Sequence, residues 1–226
     1  GGSTPLKGAT KAAAESGGLL QKGYLPMKRL LSLLLVFSLL VLPVSAAVYD
    51  DVSPNAWYAV AVDEVSHRGI MTGTSDTTFS PNAPMSRGML ATTLNRLAGE
   101  PHSTAGLFFQ DLEAGTWYID SVIWCDEMGY MEGTDATHFS PSLPLTREQL
   151  ATVLWRYVGK PPAALSSITS FADSGAVSVW AQGGVAWCVS AGLLNGKPNH
   201  LLDPKGTVTR AEMAQVLINY FIQFRL

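Results

Sequence analysis

Three tryptophans, Trp57, Trp117 and Trp180, mark the same point in three successive copies of one sequence unit. The second copy follows the first by 60 residues, and the third follows the second by 63 residues. Further positions keep these offsets: Gly69/Gly129/Gly192, Gly73/Gly133/Gly196, Pro81/Pro141/Pro204, Arg87/Arg147/Arg210 and Leu94/Leu154/Leu217. A register shared by so many positions identifies an internal repeat. The fold is therefore built from three similar units.

Each unit has the pattern of two helices joined by a loop. On the first helix, small apolar side chains recur three residues apart on one face. These positions are Val62/Val122/Val185 and Val65/Cys125/Cys188. Gly69, Gly129 and Gly192 are well placed to end this helix in a left-handed cap. The second helix is expected to begin at Ser86, Thr146 and Thr209, where apolar residues again follow with helical spacing.

A unit of this size buries too little apolar surface to be stable alone. Three units that share one core solve this problem, and three copies favour a pseudo-threefold cluster over a long solenoid. The predicted fold class is all-α, as three helix-loop-helix repeats. The predicted repeat boundaries are residues 47–105, 106–166 and 167–226.

Residues 27–46 have the three parts of a secretory signal peptide. Two basic residues follow Met27, residues 30–42 are apolar except for two serines, and Pro43 and small residues come next. The apolar run is too short for a transmembrane helix, which needs about 20 residues. We therefore expect export with cleavage after Ala46, no transmembrane span, and an upstream segment 1–26 without a fold of its own.

The composition excludes several classes of function. Residues 1–46 carry five of the fifteen Lys and Arg residues but one of the eighteen acids, so the repeats themselves are acidic. An acidic body argues against nucleic acid as a partner, because phosphate binding needs clustered bases. The four histidines do not recur in register, and no serine-elbow or phosphate-loop motif is present. No cofactor, metal site or catalytic residue is predicted.

The two cysteines, Cys125 and Cys188, occupy equivalent positions in the second and third units. They are too few for a disulfide-dense scaffold or a four-cysteine zinc site. Export would permit a disulfide between them, whereas burial would make them two small apolar side chains. The sequence leaves both possibilities open.

The start of the second helix carries a residue that capping does not explain. Thr209 with Glu212, and Thr146 with Gln149, have the spacing of a capping box, while Ser86 keeps only the cap. The residue after the cap is arginine in every unit: Arg87, Arg147 and Arg210. A cation at a helix start opposes the helix dipole, so this arginine needs a separate reason.

Two explanations for the arginine remain open. It could form a salt bridge to the acid that opens each unit; these acids are Asp51, Asp111 and Asp173. Alternatively, the guanidinium and the free amides of the helix start form a receptor for a carboxylate or phosphate. The same acids could in principle be catalytic, but an active site is usually single, whereas these acids recur with the fold.

The combined pattern resembles the S-layer homology domain family over about residues 48–224. The resemblance rests on an aromatic-x-Asp opening, a Trp-led helix, Gly-x-x-x-Gly, Phe-x-Pro and Thr-Arg-x-Glu in successive units. It implies a pseudo-trimer with a shared central helical bundle. It also implies non-covalent attachment of an exported protein to secondary cell-wall polysaccharide, in which a pyruvate ketal carries a carboxylate. The implied location is the bacterial cell wall or S-layer, with other cell-surface proteins as further candidate partners.

The resemblance further implies ligand-binding residues in grooves between neighbouring repeats. They are Arg87, Arg147 and Arg210, the adjacent Ser86, Thr146 and Thr209, the aromatic residues Trp57 and Trp117, and the loop glycines Gly73 and Gly133. A tryptophan at a helix start could equally belong to the core. The first unit departs from the pattern at Gly88, which weakens a helix start by up to about 1 kcal/mol. The third unit has a different loop at Lys197, so we expect unequal sites with at least one weakened.

The sequence favours a non-enzymatic module that anchors itself to a cell wall. One alternative is a structural protein whose repeats assemble with each other or with a partner, without sugar recognition. An enzyme is the third possibility.

Overall fold

The computed structural model describes residues 49–106 and 108–226. The predicted signal peptide at 27–46 and the upstream segment 1–26 lie outside the described residues. Six α-helices follow one another in the described part: α1 Ala59–His67, α2 Arg87–Leu97, α3 Ile119–Glu127, α4 Arg147–Tyr157, α5 Gln182–Ser190 and α6 Arg210–Phe224. Short 3₁₀ turns at Leu165–Ser167, Ser174–Ala176 and Val179–Ala181 lead into α5. Each repeat thus contributes two helices, as the sequence pattern predicts.

The predicted all-α class is confirmed for the part of the chain that the structure describes. Within residues 49–106 and 108–226, extended backbone pairs only as isolated bridges and forms no strand. No helix among these residues has the length and apolar character needed to span a bilayer.

The starts of the second helices and the ends of the first helices follow the local sequence signals. Thr146 with Gln149, and Thr209 with Glu212, form complete capping boxes at the starts of α4 and α6. Ser86 caps α2 by accepting a hydrogen bond from the Met89 amide. The first helices end at glycines in the left-handed region; their φ values are +69° at Gly69, +67° at Gly129 and +69° at Gly192. The predicted caps are therefore confirmed at all six ends.

Helices pack between repeats in a cyclic order. The second helix of each repeat packs against the first helix of the next repeat, α2 against α3 and α4 against α5, and α6 packs against α1 to close the cycle. The segments that precede the second helices close a ring of backbone hydrogen bonds in the same order. The Met85 amide donates to Val208, Val208 donates to Leu145, and Leu145 donates to Met85. A pseudo-threefold cluster requires such an order; the symmetry itself and a shared central bundle stay predictions.

The core runs continuously through all three repeats. Its fully buried side chains come from equivalent places on the second helices and the loops, such as Leu94, Leu154 and Leu217, or Phe79 and Phe139. Gly88 has a packing reason that the sequence did not reveal, because a Cβ there would lie 3.2 Å from the Pro141 carbonyl oxygen and 3.3 Å from the Tyr118 ring. The glycine lets the start of α2 approach the second repeat closely.

The two cysteines are free thiols that lie in different interfaces. The Cys125 Sγ approaches the Ala91 carbonyl on α2, and the Cys188 Sγ approaches the Ala151 carbonyl on α4. Burial raises the pKa of both thiols well above the usual range, and the charge of Asp126 adds to the effect at Cys125. The structure therefore favours the interpretation as small buried side chains.

Candidate functional site

The repeated arginines join each repeat to the next. Each guanidinium is buried and donates two hydrogen bonds to backbone carbonyls of the following repeat. Arg87 bonds Phe139 at 2.8 Å and also Glu132, Arg147 bonds Leu202 and Asn195 at 2.8 Å each, and Arg210 bonds Phe79 at 2.7 Å and Thr72 at 2.6 Å. Arg87 and Arg210 also stack on Phe139 and Phe79, with 4.5 and 4.4 Å between guanidinium carbon and ring centre. The first role of these side chains is structural.

The proposed salt bridge from each arginine to a repeated acid is wrong. Each acid instead accepts two hydrogen bonds from successive backbone amides in the loop that precedes the second helix of its own repeat. Asp51 binds the amides of Phe79 and Ser80, Asp111 those of Phe139 and Ser140, and Asp173 those of Leu202 and Asp203, at 2.7–2.9 Å. The second residue of each pair has positive φ, between 50° and 59°. The carboxylates therefore hold a strained turn in place.

The predicted anion receptor made of free helix-start amides is also wrong. The first two amides of each second helix donate to carbonyls of the next repeat. Arg87 and Gly88 bond Leu143 and Pro141, Arg147 and Glu148 bond Gly206 and Pro204, and Arg210 and Ala211 bond Ala83 and Pro81. The third amide is taken by Ser86, Thr146 or Thr209. These caps line neither of the grooves described below, so the guanidinium alone is left to meet an anion.

Little of each guanidinium reaches solvent. Arg87, Arg147 and Arg210 are 8%, 6% and 5% exposed. Burial lowers the pKa of Arg87 from its ordinary value, and the charge of Asp111 partly opposes this. Burial likewise lowers the pKa of Arg210, and the charges of Tyr49 and Asp51 partly oppose this. Arginine remains charged at neutral pH even so, because its ordinary pKa lies above about 12.

Two of the three arginines form part of the wall of an open groove. The first groove is a cavity of about 480 Å³ between all three repeats. Its lining residues are Arg210, the loop residues Ile70, Met71, Thr72, Gly73 and Thr74, the α2 residues Met89, Thr92, Thr93 and Arg96, and Trp117. None of the described residues that line it is acidic. Two cations and an exposed indole therefore face the same space.

The second groove repeats this arrangement one unit further along the chain. It also measures about 480 Å³. Its lining residues are Arg87, the loop residues Met131, Glu132, Gly133 and Thr134, the α4 residues Gln149, Thr152, Val153 and Arg156, and Trp180. The two arginines, the glycine, the threonine and the tryptophan match the first groove position by position. The two grooves differ in charge at one equivalent position, where the first groove has Thr72 and the second has Glu132.

The equivalent place beside Arg147 is occupied by other charged side chains. Lys197 lies 2.9 Å from the Asp203 carboxylate and 3.5 Å from Glu212, and Glu212 lies 3.8 Å from Arg147. The third copy of the site, hereafter the third groove, is therefore closed beside Arg147 by these ion pairs.

The three tryptophans that recur in register are surface residues rather than core residues. Trp57, Trp117 and Trp180 are 63%, 61% and 56% exposed. Trp117 lines the first groove and Trp180 lines the second, whereas Trp57 lines neither. The structure thus places the predicted Trp117 in a groove, and it adds Trp180, which the sequence analysis aligned with the others but did not select.

The loop glycines have a structural requirement of their own. A Cβ on Gly73 would lie 2.4 Å from the Ser75 carbonyl oxygen and 2.6 Å from the Tyr49 ring, and one on Gly133 would lie 2.6 Å from Asp135 and Phe109. Both glycines line grooves because the loop can take this path only without a side chain. Their place in the grooves does not require contact with a ligand.

The second arginine of each groove was not predicted from the sequence. Arg96 and Arg156 lie nine residues after Arg87 and Arg147, and Asn219 holds that position in the third repeat. The repeat register could have identified them, but they align in two units rather than three. Among the described residues, no group of three or more His, Cys, Asp and Glu side chains could hold a metal ion.

The comparisons with known proteins agree with the repeat pattern. The family model described as S-layer homology domain matches residues 48–88, 108–151 and 170–214. The Surface-layer 125 kDa protein of Lysinibacillus sphaericus is 30% identical over 190 residues, which is 80% of this chain and 16% of that protein. The Amylopullulanase of Thermoanaerobacterium thermosulfurigenes is 28% identical over 172 residues, 75% of this chain and 9% of that protein.

The Cellulosome-anchoring protein of Acetivibrio thermocellus is 25% identical over 162 residues, 67% of this chain and 35% of that protein. The chain thus spans about a third or less of the length of these three relatives. Proteins with different names share this one region with the chain, and the family match recurs at three tandem positions. The chain therefore belongs to the S-layer homology domain family, with three tandem repeats.

Proposed function

We propose that this protein is an exported, non-enzymatic module that binds secondary cell-wall polysaccharide and so holds itself to a bacterial cell wall. The ligand group is an anionic sugar, with a pyruvate ketal as the source of the carboxylate. Export depends on the predicted signal peptide at 27–46. The observation that carries the proposal is the pairing of two arginines and one exposed tryptophan in each of two matching grooves.

The chemistry of the grooves suits a charged sugar. A guanidinium binds a carboxylate through charge-assisted hydrogen bonds, which are about twice as strong as neutral ones. The buried arginine is held rigid by its two carbonyl contacts, so it loses little freedom when an anion docks. An exposed indole offers an apolar face to the C–H face of a sugar ring. A volume of about 480 Å³ lies within the usual range for small-ligand sites.

Two grooves on one module also suit a polymeric ligand. When one sugar unit is bound, the second groove meets the same chain at a raised effective concentration. Modest affinity for each unit then gives firm retention on the wall. The names of two relatives, a surface-layer protein and a cellulosome-anchoring protein, are consistent with attachment at a cell surface.

The test is sedimentation of the purified protein with bacterial cell walls. Trp117→Ala combined with Trp180→Ala should abolish sedimentation while helicity by circular dichroism is unchanged, because both side chains are mostly exposed. Trp57→Ala is the matched control and should sediment like the wild type, since Trp57 has similar exposure but lines neither groove.

Three results would overturn the proposal. Equal sedimentation of all three proteins would remove the grooves from wall binding. Concentration-dependent sedimentation without walls would favour a self-assembling scaffold. Release of reducing sugar from purified wall glycan would make the protein an enzyme.

A further inference from the structure

One backbone position is fixed in the same way in all three repeats while its side chain differs. It is the residue before the loop glycine: Thr72, Glu132 and Asn195. Its carbonyl oxygen accepts a hydrogen bond from the buried arginine of the preceding repeat, Arg210, Arg87 and Arg147 respectively. Because the backbone is held in place, the change of side chain alters the groove without altering the loop.

This side chain faces the second arginine of its groove. In the first groove, the Arg96 Nη1 lies 3.5 Å from the Thr72 hydroxyl oxygen. In the second groove, the Arg156 Nη1 lies 3.3 Å from the Glu132 carboxylate. The two contacts join equivalent positions, so the grooves differ in having a neutral or an anionic partner for the same guanidinium.

Other charged residues near Arg96 and Arg156 do not cancel this difference in charge between the two grooves. Arg96 has one acidic neighbour, Glu100, at 3.8 Å, and Glu100 lies outside the lining of the first groove. The position equivalent to Glu100 beside Arg156 is Lys160. Glu132 is therefore the one carboxylate among the described residues that line either groove.

We infer that Glu132 makes the second groove the weaker and less anion-selective of the two, and that Thr72 makes the first groove the principal site for the charged sugar. This inference rests on the proposed function. An incoming carboxylate finds Arg96 free of any acid within the groove, but it must compete with Glu132 for Arg156. Glu132 also repels the carboxylate directly. Its side chain is largely exposed, so water screens the effect to about a fivefold difference in affinity.

The experiment exchanges the two residues and observes each groove separately. The variants are Glu132→Thr and Thr72→Glu, with Glu132→Gln as a control that removes the charge and keeps the shape. The probe is a pyruvylated methyl glycoside, with its methyl ester as the uncharged comparison. The indole N–H resonances of Trp117 and Trp180 report the first and second grooves by NMR titration, and Trp57 serves as the reference outside both.

In the wild type, the Trp117 reporter should titrate with about fivefold tighter affinity than Trp180. Glu132→Thr and Glu132→Gln should tighten binding at Trp180 about fivefold and leave Trp117 unchanged. Thr72→Glu should weaken Trp117 by a similar factor. The methyl ester should show none of these differences, and the differences should shrink in high salt.

The two proposals fail in different ways. If both reporters respond to the charged probe but the exchanges leave the affinities unchanged, the assignment to Glu132 is wrong and sugar binding stands. If Glu132→Thr helps while Glu132→Gln does not, shape rather than charge sets the difference, and the inference is again overturned. If neither reporter responds in the wild type, the proposed function fails and this inference fails with it.

Discussion

The first and third grooves are formed by equivalent segments of the repeat, but the first is open and the third is closed. Arg210 and Arg147 make equivalent pairs of hydrogen bonds to the loop of the following repeat. The first groove is open at about 480 Å³, whereas Lys197 and Glu212 fill the space beside Arg147. The repeated arginine therefore serves the fold in every copy, and other positions decide whether a groove exists.

The distinction matters for how the repeat pattern is interpreted. An arginine that recurs in every copy indicates a contact that every copy needs, and here that contact is the joint between repeats. The residues that separate an open groove from a closed one occur in two copies out of three, as with Arg96 and Arg156 against Asn219. Under the proposed function, we therefore expect ligand specificity to depend on the positions at which the repeats differ.

Replacing the arginine of the closed groove gives the largest expected effect. Arg147→Ala leaves the Leu202 and Asn195 carbonyls without their donor and removes a buried charge-assisted pair, so stability should fall by about 3 kcal/mol. Arg156→Ala is the control: its ion pair with Glu132 is partly exposed and should contribute about 1 kcal/mol or less. Urea unfolding followed by circular dichroism measures both. Equal midpoints for Arg147→Ala and wild type would contradict a structural role for the repeated arginine.

Much of the fold could be predicted because its signals are local. Capping boxes, glycine caps and apolar spacing lie within a few residues of each other, so the helices and their ends follow from the sequence. The partners of Arg87 and Asp51 lie in other segments, and the periodicity that identifies a repeat does not say which repeat it touches. One of the two explanations that the sequence left open therefore paired arginine with aspartate, although each side chain binds backbone instead.

The grooves were harder to predict than the helices for the same reason. Each groove takes one arginine from one repeat, a loop and a helix from the next, and a tryptophan from the third. Alignment of the repeats places Arg87 beside Trp57, but the cyclic packing brings Arg87 into the groove of Trp180. The closure of the third groove follows from Lys197 and Glu212, whose side chains are distant in sequence and adjacent in the fold.

Opening the third groove should give the next largest effect. Lys197→Thr, Asp203→Ser, Glu212→Gln and Asn219→Arg together install the second groove's residues at these four positions, and Gln149 shows that glutamine can complete the capping box. Removing the competing charges and adding a second guanidinium should raise affinity there at least thirtyfold, about 2 kcal/mol. Calorimetric titration with a pyruvylated glycoside should then show three sites instead of two. Glu212→Gln alone is the control and should leave two.

A difference between the copies that lies away from the grooves should leave binding unchanged. Cys188 is equivalent to Val65 of the first repeat, so we expect the fold to accept valine at this position in Cys188→Val. Burial raises the pKa of the Cys188 thiol, so the folded protein keeps this proton at a pH where the unfolded chain has lost it. Stability is unaffected below the ordinary thiol pKa of about 8.5 and falls as the pH rises above it.

Cys188→Val should therefore recover about 1 kcal/mol of the stability that the wild type loses between about pH 7 and pH 9. Tyr157, whose pKa burial raises to about 12, should add a further loss only at higher pH, in both proteins. Urea unfolding at several pH values measures the recovery, and wall sedimentation should match the wild type. A parallel fall in the two proteins up to pH 9 would mean that the thiol ionises in the native state. Altered sedimentation would mean that the interface of α4 and α5 influences the grooves. Residues that join the repeats would then also affect binding.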